Sequence, residues 1–146
     1  MSNLNIVIRK ADVKDAQAIA EISSKDLGYD CTAEFAGKKL AGLDMSREAV
    51  FVAETENRVI GYIHIEKYDT LYCETLANVL GLAVRSDSRR NGAGKLLIEA
   101  AEGWAKDIGA EGVRLNSGAS RTGAHSFYRA VGYNNEKQQV RFLKEF

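Results

Sequence analysis

Apolar residues recur along this chain in two rhythms, alternating in some stretches and returning every third or fourth position in others. Ile6 and Ile8 alternate with polar or shorter neighbours ahead of Arg9, which predicts a short first strand. Asp12 then caps a helix. Asp15 falls in its first turn, where the helix dipole favours an acid, and Val13, Ala16, Ile19, Ala20 and Ile22 line one face. Leu27-Gly28-Tyr29-Asp30 breaks that rhythm, and Thr32 caps a second helix to about Ala41, with Phe35, Leu40 and Leu43 inward. Val50, Val52 and Ala53 predict a second strand, Glu56-Asn57-Arg58 a tight turn, and Val59 to Lys67 a third strand, together a hairpin.

A loop with Tyr68, Tyr72 and Glu74 leads to a fourth strand over Asn78 to Val84. Lys95 to Ile108 follows as a helix, since Leu97, Ala101, Trp104 and Ile108 recur at helical spacing and Gly109 supplies a left-handed end. Strand five is expected at Val113 to Asn116, a fourth helix at Arg121 to Val131 ended by Gly132, a sixth strand from Tyr133 and a seventh over Gln139 to Lys144. The order is that of an α/β fold. Its mixed, mostly antiparallel central sheet has six to seven strands with helices on both faces, in a single domain spanning 1–146.

Composition narrows this picture mainly by exclusion. Hydrophobic content of 45% and charged content of 27% are ordinary for a globular domain, and twenty basic against twenty acidic side chains give no global field to attract nucleic acid. No apolar run reaches membrane-spanning length, and Met-Ser-Asn-Leu-Asn-Ile lacks the charged-then-apolar pattern of a leader, so the expectation is a cytoplasmic protein without membrane association. Cys31 and Cys73 are far apart and His64 and His125 are the two histidines, which indicates neither a disulfide framework nor a metal site.

The chemistry concentrates between Val79 and Lys95. There an apolar strand runs into a basic, glycine-bearing loop and then a helix, so that backbone N–H groups and the positive helix end converge on one spot suited to a phosphate. Gly92 and Gly94 let the main chain approach a ligand, while Arg85, Arg89, Arg90 and Lys95 bring charge that a diphosphate could use.

Arg89 to Gly94 fits R-x-x-G-x-G, and Arg121 to Tyr133 fits A-x-x-F-Y-x-x-x-G-F/Y through Ala124, Phe127, Tyr128, Gly132 and Tyr133. In this order and context the two patterns resemble those of the GCN5-related N-acetyltransferases, the GNAT family. The resemblance implies an acyltransferase with acetyl-CoA as its acetyl-donor cosubstrate. It further implies a sheet splayed between strands four and five, where Leu82, Ala83 and Val84 bond the pantetheine arm through their backbone. Arg89, Arg90, Asn91, Gly92, Ala93, Gly94 and Lys95 would hold the pyrophosphate. Asn116, Arg121 and Ala124 would complete the cofactor contacts, and the hydroxyl of Tyr128 would protonate the departing thiolate.

Many members carry a carboxylate on strand four, but the corresponding residues here are Leu80-Gly81-Leu82. Glu74, or His64 and Glu66 on one face of the third strand, are therefore the candidate general bases, acting directly or through water, and ordered water with no dedicated side chain is the alternative. The favoured function is direct transfer of acetyl to a primary amine, on a small molecule or a peptide, in a ternary complex. A non-catalytic acyl-CoA sensor is the alternative, and a homodimer is left open. Asp30, Glu34, Asp69 and Glu74 would give the acceptor site an acidic rim suited to a cationic amine such as a polyamine, an aminoglycoside or a lysine.

Overall fold

Alternating apolar residues build four antiparallel strands, and one further strand joins them in parallel. The computed structural model describes residues 5–146, so four of the six residues read for a leader, 1–4, lie outside the described residues. Strand β1 (Val7–Lys10) pairs with β2 (Glu48–Thr55), β2 with β3 (Arg58–Thr70) and β3 with β4 (Cys73–Val84), all antiparallel. Strand β5 (Val113–Leu115) runs parallel to β4, giving the order β1-β2-β3-β4-β5. The chain divides into two compact units after Leu115, and the first holds this whole sheet.

Helix α1 (Ala16–Ile22) follows a 3-10 turn over Val13–Asp15 that Asp12 and Asp15 close as a capping box. Asp15 is 3% exposed, yet it is satisfied three ways. Arg9 donates Nη1 and Nη2 to its two oxygens at 2.9 and 2.8 Å, and the Asp12 N–H donates at 2.9 Å. Helix α2 (Ala33–Ala41) starts where the Thr32 hydroxyl accepts from the Phe35 N–H. Val50, Val52, Tyr62 and Ala83 on one sheet face pack with Ala16, Ile19, Ala20 and Ile22 of α1. On the other face lies α3 (Ala93–Asp107), whose Leu97 approaches Gly61. A Cβ on Gly61 would come within 2.8 Å of the Ala83 carbonyl and 3.3 Å of Leu97, so this contact requires glycine.

Several expectations are corrected. Among the described residues the sheet has five strands, not six to seven. In the second unit, α4 (Thr122–Ala130) ends at Val131, Gly132 turns left-handed at φ +102°, and the Tyr133 N–H donates to the Tyr128 carbonyl. That N–H closes a helix end instead of a sheet ladder, and residues 134–146 form none, with Val140, Phe142 and Leu143 exposed. The hairpin of β3 and β4 extends through the segment expected to be a loop, turning at Leu71-Tyr72 with Thr70 opposite Cys73. Phe35, expected inward, is 55% exposed.

Candidate active site

Two departures from regular pairing shape β4. Its ladder with β3 matches Ile65 to Val79 and His64 to Gly81, so Leu80 is an extra residue, a β-bulge. Its parallel ladder with β5 ends at Val79 opposite Leu115. From Leu80 to Val84 the strand is therefore paired to β3 on one edge and open on the edge beside β5. Backbone groups of Leu82, Ala83 and Val84 lie on this stretch, where an extended ligand could bond as a strand does.

The open edge leads into the loop. Ser86–Ser88 forms a 3-10 turn, Arg90 and Gly92 take positive φ of 66° and 91°, and α3 begins at Ala93, two residues ahead of the expected Lys95. Asn91 explains the earlier start: its side-chain oxygen accepts from the Ala93 N–H at 3.1 Å, while the Leu96 N–H already donates to the Gly92 carbonyl. Gly94 and Lys95 lie in the first turn, where N–H groups have no partner within the helix. Apart from its chain neighbours, no described atom lies within 4 Å of where a Cβ of Gly92 would stand, so the space beside this residue, at the entrance of the 15-residue helix, is open.

The four basic residues of this region have different tasks. Arg85 donates Nε to the Val59 carbonyl at 2.9 Å and Nη2 to Glu21 at 3.1 Å, so it ties the sheet to α1. Arg89 lies 3.6 Å from Asp26, whose carboxylate also accepts from the Ser86 N–H. Asp26 belongs to a π-helical turn, Ser23–Leu27, that continues α1 and thereby holds the loop. Arg90 and Lys95 are exposed. They are, with the partly engaged Arg89, charges turned to solvent at the helix entrance.

The same π-helical turn borders a cleft of about 250 Å³. Tyr62 and His64 of β3, Leu80 and Gly81 of the bulge, and Leu27, Tyr29, Asp30 and Phe35 line it. The Tyr62 hydroxyl bonds the Ser23 hydroxyl at 2.8 Å, and burial raises its pKa above the ordinary phenol value. His64 Nε2 lies 2.8 Å from Glu48 Oε1 across β2. The other Glu48 oxygen accepts from the Asp44 N–H at 3.1 Å. Burial pushes the Glu48 carboxyl up, but the hydrogen bonds from His64 and Asp44 outweigh it and hold it below the usual carboxylate range. At neutral pH Glu48 is therefore ionised and can only accept, which puts a proton on His64 Nε2 and leaves Nδ1 as the basic nitrogen of the neutral ring.

Glu48 escaped the sequence reading, and Glu74 is not brought together with His64. Glu74 is exposed near the tip of the long hairpin, seven residues from Gly81 along β4, roughly 23 Å at about 3.3 Å per residue. Asp69 is at the same end, held by Thr75 and Lys67. Of the four acids of the expected rim, Asp30 lines the cleft.

In the second unit, Asn116 directly follows β5 and Arg121 caps α4, with Ala124 and Tyr128 on the helix. The Tyr128 ring meets Phe127 and Tyr133 edge to face, with centroids 5.3 and 6.1 Å apart. Burial raises the Tyr128 hydroxyl above the usual phenol value, against the pull of Arg121, so it stays protonated at neutral pH. His125 Nε2 lies 2.9 Å from the Gly118 carbonyl, a bond within this unit.

Residues 16–133 match the model of the Acetyltransferase (GNAT) family. An uncharacterized N-acetyltransferase of Chlorobaculum tepidum is 29% identical over 135 residues, covering 90% of this chain and 77% of that protein. Among solved structures, a transcriptional regulator from Bacillus halodurans superposes with a TM-score of 0.82 at 20% identity, over 96% of this chain and 100% of the other. An aminoglycoside N-acetyltransferase in complex with CoA gives 0.81 at 18% identity, over 99% and 97%. At these identities the two structures share the fold.

Proposed function

Because this chain belongs to the acetyltransferase (GNAT) family and is an acetyltransferase, we propose that it transfers acetyl from acetyl-CoA to a primary amine by direct attack in a ternary complex. One observation carries this reading: His64, bonded to Glu48, lines a cleft that the bulge of β4 also lines, at the start of that strand's open edge.

The residues present fit acetyl-CoA. The open edge from Leu80 to Val84 suits a pantetheine arm, and the free approach to Gly92, with Arg90 and Lys95 exposed at the entrance of α3, suits its pyrophosphate. Asn91 and Ala93 shape the helix start, and Arg89 braces the loop through Asp26. When bound, acetyl-CoA supplies the activated thioester. A backbone N–H near Leu82 would donate to the thioester oxygen. His64 Nδ1 takes the proton of the amine, directly or through a water, and Glu48 holds the imidazole in the tautomer that can do so. The proton returned to the thiolate is assigned to Tyr128 by family resemblance and by its neutral phenol, with Asn116, Arg121 and Ala124 as further cofactor contacts.

Initial-rate kinetics with a panel of primary amines, read by release of free thiol, tests the proposal. Turnover with intersecting double-reciprocal lines is expected. Parallel lines would replace direct attack by a covalent relay, and absence of turnover across the panel would remove the amine from the reading.

A further inference from the structure

The cleft bounded by β3, the bulge and the π-helical turn carries more information than the acidic rim the sequence suggested. Large apolar side chains stand exposed along it: Tyr29 at 70%, Phe35 at 55% and Leu80 at 50%. Against them the lining sets one carboxylate, Asp30, and one imidazole, His64. Glu34 is exposed on α2 outside the lining, and Asp69 and Glu74 lie at the far end of the long hairpin. One of these side chains already faces a cation, since the Lys39 ammonium lies 5.5 Å from the centre of the Phe35 ring.

We propose that this cleft takes a small primary amine with a single positive charge and an aromatic body, an arylalkylamine; the inference rests on the acetyl-transfer reading and names its acceptor. Asp30 attracts the incoming ammonium, and His64 stands inside to accept the proton that must leave before attack. The aromatic body then covers Tyr29, Phe35 and Leu80, surface that water would otherwise face. A polyamine or aminoglycoside fits poorly. Its second and third ammonium groups would lie against apolar walls without a carboxylate, or beside Lys39, and an unpaired charge is costly to desolvate. Size agrees, because about 250 Å³ is below the roughly 300–1,000 Å³ typical of drug-sized sites.

The test compares 2-phenylethylamine, ethylamine, spermidine and kanamycin in the free-thiol assay, with binding of 2-phenylethylamine in the presence of coenzyme A followed by calorimetry. Phenylethylamine should exceed ethylamine, spermidine and kanamycin in kcat/KM by about tenfold or more. Phe35→Ala, at an exposed position and checked for folding by circular dichroism, should bring the phenylethylamine-to-ethylamine ratio down toward one. Faster turnover of kanamycin or spermidine would overturn the acceptor class while leaving acetyl transfer intact. Saturable phenylethylamine binding, weakened by Phe35→Ala but without turnover of any amine, would uphold the ligand class and overturn the transfer reading beneath it. Neither binding nor turnover of phenylethylamine would overturn the inference.

Discussion

Replacing Glu48 by glutamine isolates the role assigned to its charge. A hydrogen bond to an ionised partner contributes about 1.5–3 kcal/mol and a neutral one about 0.5–1.5 kcal/mol. His64 and Glu48 keep 30% and 25% exposure, so screening favours the low end of the difference. About 1 kcal/mol corresponds to roughly fivefold in rate. The geometry adds a second effect. Glu48 offers two oxygens to two donors, His64 Nε2–H and the Asp44 N–H, whereas glutamine has one oxygen. When the amide nitrogen faces the ring, His64 must accept at Nε2 and carry its proton on Nδ1, and the base is lost. Glu48→Gln should therefore lower kcat by between about fivefold and the full effect of His64→Ala, expected at roughly 10²–10⁴-fold. The KM for acetyl-CoA should stay as it was, because neither residue is on the open edge or the loop. The assay is a double-mutant cycle in steady-state kinetics. A positioning residue acts through His64, so Glu48→Gln in the His64→Ala background should cost nothing further. If it lowers kcat by the same factor there as in the wild type, the two residues act independently and the assignment of Glu48 is wrong.

Three further outcomes are expected. Tyr128→Phe should lower turnover and leave coenzyme A affinity within about twofold, and unchanged turnover with chemistry rate-limiting would remove its hydroxyl as the acid. Arg90→Ala with Lys95→Ala should weaken coenzyme A by about tenfold or more and spare pantetheine, which lacks the pyrophosphate; equal loss for both ligands would contradict the loop assignment. Asp15→Asn should cost about 2–4 kcal/mol in urea unfolding at neutral pH, because it removes a buried charge from Arg9, itself partly exposed. Burial raises the Asp15 carboxyl, but Arg9 and the Asp12 N–H hold it below its ordinary value, so this stability is present above the unfolded value near 4. The difference from wild type should shrink as pH falls from there through the lower folded value, and a difference constant to the acid limit would contradict the pairing.

What the sequence made legible was what neighbouring residues decide among themselves. Asp12 and Thr32 act as caps, Glu56 and Asn57 both take the positive φ of a tight hairpin turn, and the apolar stripe of α3 lies against the sheet. The sixth and seventh strands failed because alternation describes a side-chain pattern, while a strand needs a partner for its backbone. The beginning of α3 was read late because Gly94 discourages a helix locally, whereas Gly92 and the Asn91 side chain close the turn just before it. Glu48 was missed for a reason of register. A tight turn sets Thr55 opposite Arg58, but a bulge at Ala53 and Glu54 shifts the pairs beyond it, so that His64 faces Val50 and Glu48 becomes its diagonal neighbour on the same face.

That bulge belongs to a pattern in which irregular backbone does the positioning. Regular pairing from Thr55 would have turned His64 and Glu48 to opposite faces; the extra residue, Ile60 of β3 opposite the Ala53–Glu54 step, puts both on the face that carries the cleft. On β4 the extra residue Leu80 stands exposed beside Gly81, at the place where the parallel ladder to β5 stops. At the end of α1 the wider π-helical turn carries Leu27 to the cleft and Asp26 to the loop. Each device costs ladder or helix hydrogen bonds that a regular element would keep, and a core has no use for that loss. The proposed base, acceptor wall and loop brace thus all depend on an inserted residue or widened turn. Apolar periodicity reports where a chain is regular, so it found the scaffold here and passed over the positions that give the scaffold its chemistry.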